Sequence, residues 1–323
     1  MSEEDDSPIY ASPAATYLLS LNTEVSRNSM RWSLFRIVQA IAPTELEACC
    51  QYLEAQGRPK FDSIFYFNWH LLRYTDTARL RAYLITHYTP STINHILCGL
   101  RRVLKEAWRL DLMSVEDYRR AADVQNVSFH QELSGRTLSD QEIASLLLQC
   151  EADEIGLRDA AIISLFFSCG LRIAELQALN LDDYIASESA LRVMGKGLKE
   201  RIVYIPSLTE QRLQDWITMR GSEPGALFIA IGRYKRCFQQ RQRCSIRAIS
   251  GMLQRRGRLA GVEAFSPHDL RRTTVTNLLA KGVDVITVSR CAGHKSPQST
   301  LRYDRRSEQV KRQAVQLRPF DES

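Results

Sequence analysis

Between Ser91 and Leu110, the residues Ile93, Ile96, Leu97, Leu100, Val103, Leu104 and Ala107 recur at helical spacing. A stripe this regular commits the stretch to a helix with one buried face. Arg101, Arg102, Lys105 and Arg109 lie mostly off the stripe. Met30 to Ala42 carries a second amphipathic run, with Trp32, Phe35, Ile37 and Val38 among Arg31 and Arg36. The same pattern holds across residues 13–124, which reads as one helical domain. Asp123 to Arg136 is polar and lacks helical periodicity, and the linker is placed at residues 125–136. A fresh helix is predicted at Ser139, where Ser139 caps and Glu142 completes a capping box. Its apolar set is Ile143, Leu146, Leu147 and Cys150. Alternation then predicts a strand pair, Leu191 to Met194 and Arg201 to Ile205, before helices resume. A mainly α chain with one small sheet falls in the α+β class, its second domain covering residues 137–323.

A chain of 323 residues with 44% hydrophobic content can support two cores. The net charge of +6 is mildly basic, and its distribution says more. From Arg233 to Arg258 there are nine Lys or Arg and no Asp or Glu. Such a stripe suits phosphate neutralisation, where each contact releases a counterion. Arg233, Lys235, Arg236, Arg241, Arg243 and Arg247 therefore join Arg101, Arg102 and Lys105 as candidate DNA contacts. A solvated surface is the other reading of both sets. Eight cysteines form no Cys-x-x-Cys pair and six histidines add no ligand spacing, which argues against structural zinc. Several cysteines sit in apolar runs and read as small core residues. The acidic start MSEEDDS is not a signal peptide. No apolar run approaches the roughly 18 residues of a membrane span. The expectation is a soluble cytoplasmic protein associated with the nucleoid.

The chemistry concentrates in SPHDLRRTTVTNLLAKGVDVITVSRCAGHKSPQSTLRY, from Ser266 to Tyr303. Ser266 and Pro267 look like an N-cap and a first helical residue. His268 and Arg271 then share one face at the positive end of that helix, a suitable place for phosphate. Arg272 falls elsewhere on the wheel and is expected to make a salt bridge or a backbone contact. Gly293-His294 follows, and Tyr303 stands nine residues after His294. Ser296-Pro297 is expected to cap a short helix carrying Tyr303. Far upstream, Arg172 and Glu175 are three apart in CGLRIAEL, so Glu175 can hold Arg172. Between these regions the expected hairpin presents Lys196 in Gly195-Lys196-Gly197, with Lys199 as a competitor.

These residue types fit one task. Cleavage of a phosphodiester by a tyrosine needs a phenol to attack phosphorus in line. Arginine offsets the phosphate charge, because its planar fork donates two hydrogen bonds and stays protonated. Arg172 and Arg271 can serve as that pair, and such stabilisation is often the largest catalytic contribution. The attacking phenol loses a proton and the departing oxygen gains one. A Lys or His placed at each end supplies that help, worth roughly 10²–10⁴-fold.

In order and spacing, Arg172, Lys196, His268, Arg271, His294 and Tyr303 resemble the tyrosine recombinases, the phage-integrase type of site-specific DNA recombinase. The resemblance implies that the hairpin lysine protonates the leaving 5′ oxygen. It implies that His294 bonds the scissile phosphate and that Tyr303 becomes linked to the 3′ phosphate. Ala292-Gly293-His294 stands where the family more often has Leu-Gly-His, a mild departure. The helical first part resembles, loosely, the family's SAM-like core-binding domain, which closes with the catalytic domain as a C-shaped clamp on DNA. Further implications are a homotetramer on paired inverted-repeat core sites, a Holliday junction, and action in integration, excision or resolution of a mobile element. An accessory DNA-binding protein is a possible partner, and no metal or nucleotide cofactor is implied. The tail Asp304 to Ser323 is long enough for a helix, which in the family docks on a neighbouring protomer. A type IB topoisomerase shares this chemistry, and a non-catalytic DNA-binding accessory factor is the other alternative.

Overall fold

The computed structural model describes residues 12–128, 135–195, 200–231, 241–294, 296–301 and 303. The chain divides into two compact units, Met1–Gln131 and Glu132–Ser323.

The first unit is helical. Its helices are α1 (Pro13–Leu19), α2 (Glu24–Ile41), α3 (Pro43–Ala55), α4 (Tyr74–His87), α5 (Pro90–Arg109) and α6 (Val115–Ala122), with short 3₁₀ turns between α3 and α4. The apolar stripe read in the sequence is the buried face of α5: Ile96, Leu97, Leu100, Val103, Leu104 and Ala107 have no exposed surface. They pack on Leu34, Ile37 and Val38 of α2 and on Trp69, whose indole donates to the carbonyl of Ile64 at 2.8 Å. Helix α2 begins well before Met30, because the Thr23 hydroxyl accepts from the amide of Ser26 and fixes its start there.

Part of the stretch assigned to a linker is fastened down. Asn94 on α5 bonds both backbone groups of Val127, and Arg101 donates to the carbonyl of Val124 at 2.7 Å and to Asn126 Oδ1 at 2.8 Å. Arg81 holds the carbonyl of Gln125. At the other end, Arg136 donates to Glu142, to the carbonyls of Glu263 and Ala264, and from its amide to Asp269. A polar, aperiodic stretch need not be a free tether when side chains answer its backbone groups.

In the second unit, the Ser139 capping box forms as read, with Glu142 accepting from the Ser139 amide at 2.8 Å. It opens α7 (Asp140–Leu148), followed by α8 (Glu154–Cys169) and α9 (Ile173–Ala178). The sheet is β1 (Tyr184–Ile185), β2 (Ala190–Met194) and β3 (Glu200–Tyr204), all antiparallel, one strand more than the sequence pattern predicts. Then come α10 (Ser207–Arg220), α11 (Ile246–Leu259), α12 (Pro267–Ala280), α13 (Val285–Ala292) and α14 (Pro297–Leu301). Helix α8 is the hub, with Ile162, Leu165 and Phe166 buried against the core that Leu213, Trp216 and Leu270 complete. The fold is therefore mainly α with a small sheet. No helix among the described residues is long and apolar enough to cross a membrane. Cys169 and Cys244 are buried as expected for core thiols, whereas Cys98 and Cys291 are exposed.

Candidate active site

Two helix ends build the floor. Helix α8 stops at Gly170, whose φ of 60° is left-handed and free of cost only for glycine. Helix α13 stops the same way at Gly293, φ 64°. Helix C-termini leave carbonyls without intrahelical partners and carry negative partial charge. Arg271 answers both ends, donating from Nη1 to the carbonyl of Gly170 and from Nη2 to that of Ala292, each at 2.6 Å. Arg172 donates from Nη2 to the next carbonyl, Gly293, at 2.7 Å. The two arginines thus meet on one turn of chain although 99 positions separate them in the sequence (271 − 172).

Helix α12 presents its N-terminus to this floor. Ser266 accepts from the amide of Asp269, and Asp269 returns bonds to the Ser266 amide and hydroxyl, a capping box beyond the simple N-cap read in the sequence. The cap fixes the first turn, so His268 and Arg271 leave one face together. His268 Nε2 lies 3.2 Å from the Tyr303 hydroxyl. Tyr303 sits just beyond α14 rather than within it, with its amide bonded to the carbonyl of Thr300. Its ring stacks on His294, centroids 6.0 Å apart, and on the other contact the Arg272 guanidinium carbon stands 5.3 Å from the ring centre. Arg272 also lies 3.7 Å from Asp269, the salt bridge expected of it; the stacking on Tyr303 was not foreseen. His294 Nδ1 is 2.7 Å from the Thr300 hydroxyl, which sets the orientation of its ring.

Charge is concentrated here. Burial, then Arg271 and Arg172, push the His294 pKa down to about 4. His268 shifts the same way, first from partial burial and then from Arg271 and Arg272, with Asp269 opposing. Both imidazoles are therefore neutral at pH 7. Burial, then Arg172, lowers Arg271 to about 10, which leaves it cationic. Glu175 is the counter-charge. It accepts from the amide of Arg172 at 3.0 Å and from Arg172 Nη1 at 2.5 Å. Burial raises its pKa, but the bonds from Arg201 and Arg172 prevail and hold it below the ordinary carboxylate value. Arg201, on β3, was missed as a site residue; it reaches Glu175 with both terminal nitrogens, at 3.1 and 2.8 Å. The arrangement can bind a phosphodiester by two fixed guanidiniums and remove a phenol proton through a neutral imidazole.

Of the residues singled out in the sequence, Arg172, Glu175, His268, Arg271, His294 and Tyr303 come together. Lys196 and its competitor Lys199 lie outside the described residues, as do Arg233, Lys235, Arg236 and the tail from Asp304. Among the candidate DNA contacts, Arg102 and Arg247 are exposed and Lys105 is half-buried. Three others are engaged within the protein. Arg101 is used on residues 124 and 126, Arg241 reaches the carbonyl of Arg220, and Arg243 binds the carbonyls of Gln177 and Leu179 and Asn180 Oδ1.

Residues 136–309 match the phage integrase family, and the chain belongs to that family, the tyrosine recombinases. Tyrosine recombinase XerC of Corynebacterium glutamicum is 35% identical over 154 residues, 47% of this chain and 47% of that protein. Tyrosine recombinase XerC of Chlamydia trachomatis serovar L2 is 29% identical over 242 residues, covering 72% of this chain and 74% of that one. The match thus spans about half the length of the first relative. Among solved structures, XerH site-specific recombinase bound to a palindromic difH substrate has a TM-score of 0.62 at 15% identity, covering 95% of this chain and 97% of that one. A lambda integrase dimer bound to a core site has a TM-score of 0.61 at 16% identity, covering 90% and 93%. At these identities the likeness is one of fold.

Proposed function

We propose that this protein is a site-specific DNA recombinase that cuts and rejoins strands through a 3′-phosphotyrosine. The observation that carries the reading is the placement of the Tyr303 hydroxyl 3.2 Å from His268, beside the two arginines fixed on the α8 and α13 ends. Arg172 and Arg271 hold the non-bridging oxygens of the scissile phosphate. Neutral His268 accepts the phenol proton as Tyr303 Oη forms its bond to phosphorus. His294, oriented by Thr300, donates to a phosphate oxygen. The P–O5′ bond breaks, and Lys196 delivers a proton to the departing 5′ oxygen. Bond energy is conserved in the phosphotyrosine, so rejoining needs no nucleotide.

Similarity to the XerC proteins supports recombination between specific sites. The finer account is that the first unit is a core-binding domain which closes with the catalytic unit around duplex DNA. Four protomers pair two inverted-repeat sites, exchange strands through a Holliday junction and move or resolve a mobile element within the cytoplasm.

The test is Tyr303→Phe against the parent protein on a pool of nicked duplexes of randomised sequence. The parent should yield a protease-sensitive DNA adduct, and the Phe variant should bind DNA without forming one. An adduct from the Phe variant would dismiss Tyr303 as nucleophile. Relaxation of plasmid without sequence preference would favour topoisomerase activity instead.

A further inference from the structure

Strand β3 alternates in burial. Glu200, Ile202 and Tyr204 face outward, whereas Arg201 and Val203 turn inward. An arginine on the inward side of a strand needs partners there. Arg201 finds both oxygens of Glu175, a carboxylate only 5% exposed, and its own side chain is 16% exposed. Its guanidinium also lies against Gly293: a Cβ added there would stand 2.9 Å from the Arg201 guanidinium carbon. The carbonyl of that same Gly293 accepts from Arg172. Arg201 therefore touches both supports of Arg172, the Glu175 carboxylate and the α13 end.

We propose that Arg201 is a positioning residue for strand cleavage, fixing Glu175 so that Arg172 meets the scissile phosphate in one orientation and with its charge undiminished. The inference rests on the recombinase reading above. Two physical effects carry it. The first is geometric: Arg172 is 40% exposed and long, so its head is costly to hold. A carboxylate clamped by a bidentate arginine cannot swivel and becomes a fixed post for it. The second is electrostatic. Glu175 beside Arg172 makes a neutral pair, which would weaken the field on the phosphate. Adding Arg201 returns the trio to a net single positive charge, aimed at a dianionic transition state.

The two effects separate positioning from mere folding. Arg201→Ala and Arg201→Lys are compared with the parent on nicked duplexes recovered from the randomised pool, with adduct formation as the readout. On the ordinary phosphate, Arg201→Ala should slow adduct formation about 10²-fold, the usual consequence of a misplaced catalytic group. Arg201→Lys keeps the charge, loses the fork and should fall between. Duplex affinity should stay near that of the parent for both. With a neutral methylphosphonate at the scissile position, there is less charge for Arg172 to offset, and the Ala defect should shrink towards parity. An equal defect on both substrates would reduce Arg201 to a structural residue, and no defect on either would overturn the proposal. If Arg201→Ala does not fold, the Lys variant carries the same comparison. Failure of the parent itself to form any adduct would sink the recombinase reading rather than the role of Arg201.

Discussion

At the scale of single residues, burial first and then a cluster of cations keep the histidines of the site neutral. An unfolded histidine titrates near 6.5, and His294 in the fold near 4. Between those values the unfolded chain binds the extra proton. The contribution of His294 to the stability of the second unit should therefore be lost as pH drops through that window and be constant above it. His294→Gln should partly flatten the dependence of the unfolding midpoint on pH, while His268 and the depressed carboxyl of Glu175 keep slope of the same sign. An unchanged slope in the variant would remove His294 from this explanation. Thr300 is the partner that orients the His294 ring. Thr300→Val keeps the shape and removes one hydrogen bond, so adduct formation should drop by up to about tenfold. Thr300→Ser should restore it. Full activity in the Val variant would mean the imidazole is oriented by something else.

At the scale of elements, two left-handed helix ends and one capped helix start do the placing. Gly293→Ala forces an L-residue into φ 64° and presses a methyl against Arg201 at 2.9 Å. The variant should lose at least about 1 kcal/mol of stability from the backbone alone. It should also lose cleavage activity, because Arg201 and the carbonyl that holds Arg172 both shift. A stable, fully active Ala variant would show that this close approach is dispensable. The capped start of α12 was legible, since Ser266, Pro267, His268 and Arg271 announce it within six positions. His294 and Tyr303 were legible through spacing. Arg201 was not. Ile202 and Tyr204 look like the inward residues of β3, yet they are 39% and 71% exposed, and Arg201 and Val203 take the inner face. Alternation predicts a strand but leaves open which set is inward, and the carboxylate that decides the matter comes from α9, 26 positions earlier. The third strand escaped notice because β1 has two residues.

At the scale of the molecule, each unit has its own apolar cluster with no member in common. Unit-specific lesions should register separately. Leu100→Ala in the first cluster should cost about 2–5 kcal/mol. In the second unit Asp159, with no exposed surface, binds Arg158 at 2.7 Å and Arg256 at 2.8 Å. Asp159→Asn leaves two buried guanidiniums short of their counter-ion and should cost about 3–5 kcal/mol. Calorimetry on each variant should show the lesion in one transition; equal shifts of every transition by both would mean the units unfold as one. In the stretch from Arg233 to Arg258, Arg256 and Arg243 are held by partners within the fold. A basic run reports composition, and here part of it is spent inside the fold.

The central claim is that Tyr303 is the atom donor for a covalent link to DNA. It is tested most directly by trapping the parent protein on a nicked duplex, digesting both components and sequencing the nucleotide-bearing peptide by mass spectrometry. The account predicts a single modified peptide with a 3′-phosphoryl nucleotide on Tyr303. A nucleotide on any other residue, or attached through a 5′ phosphate, would contradict it.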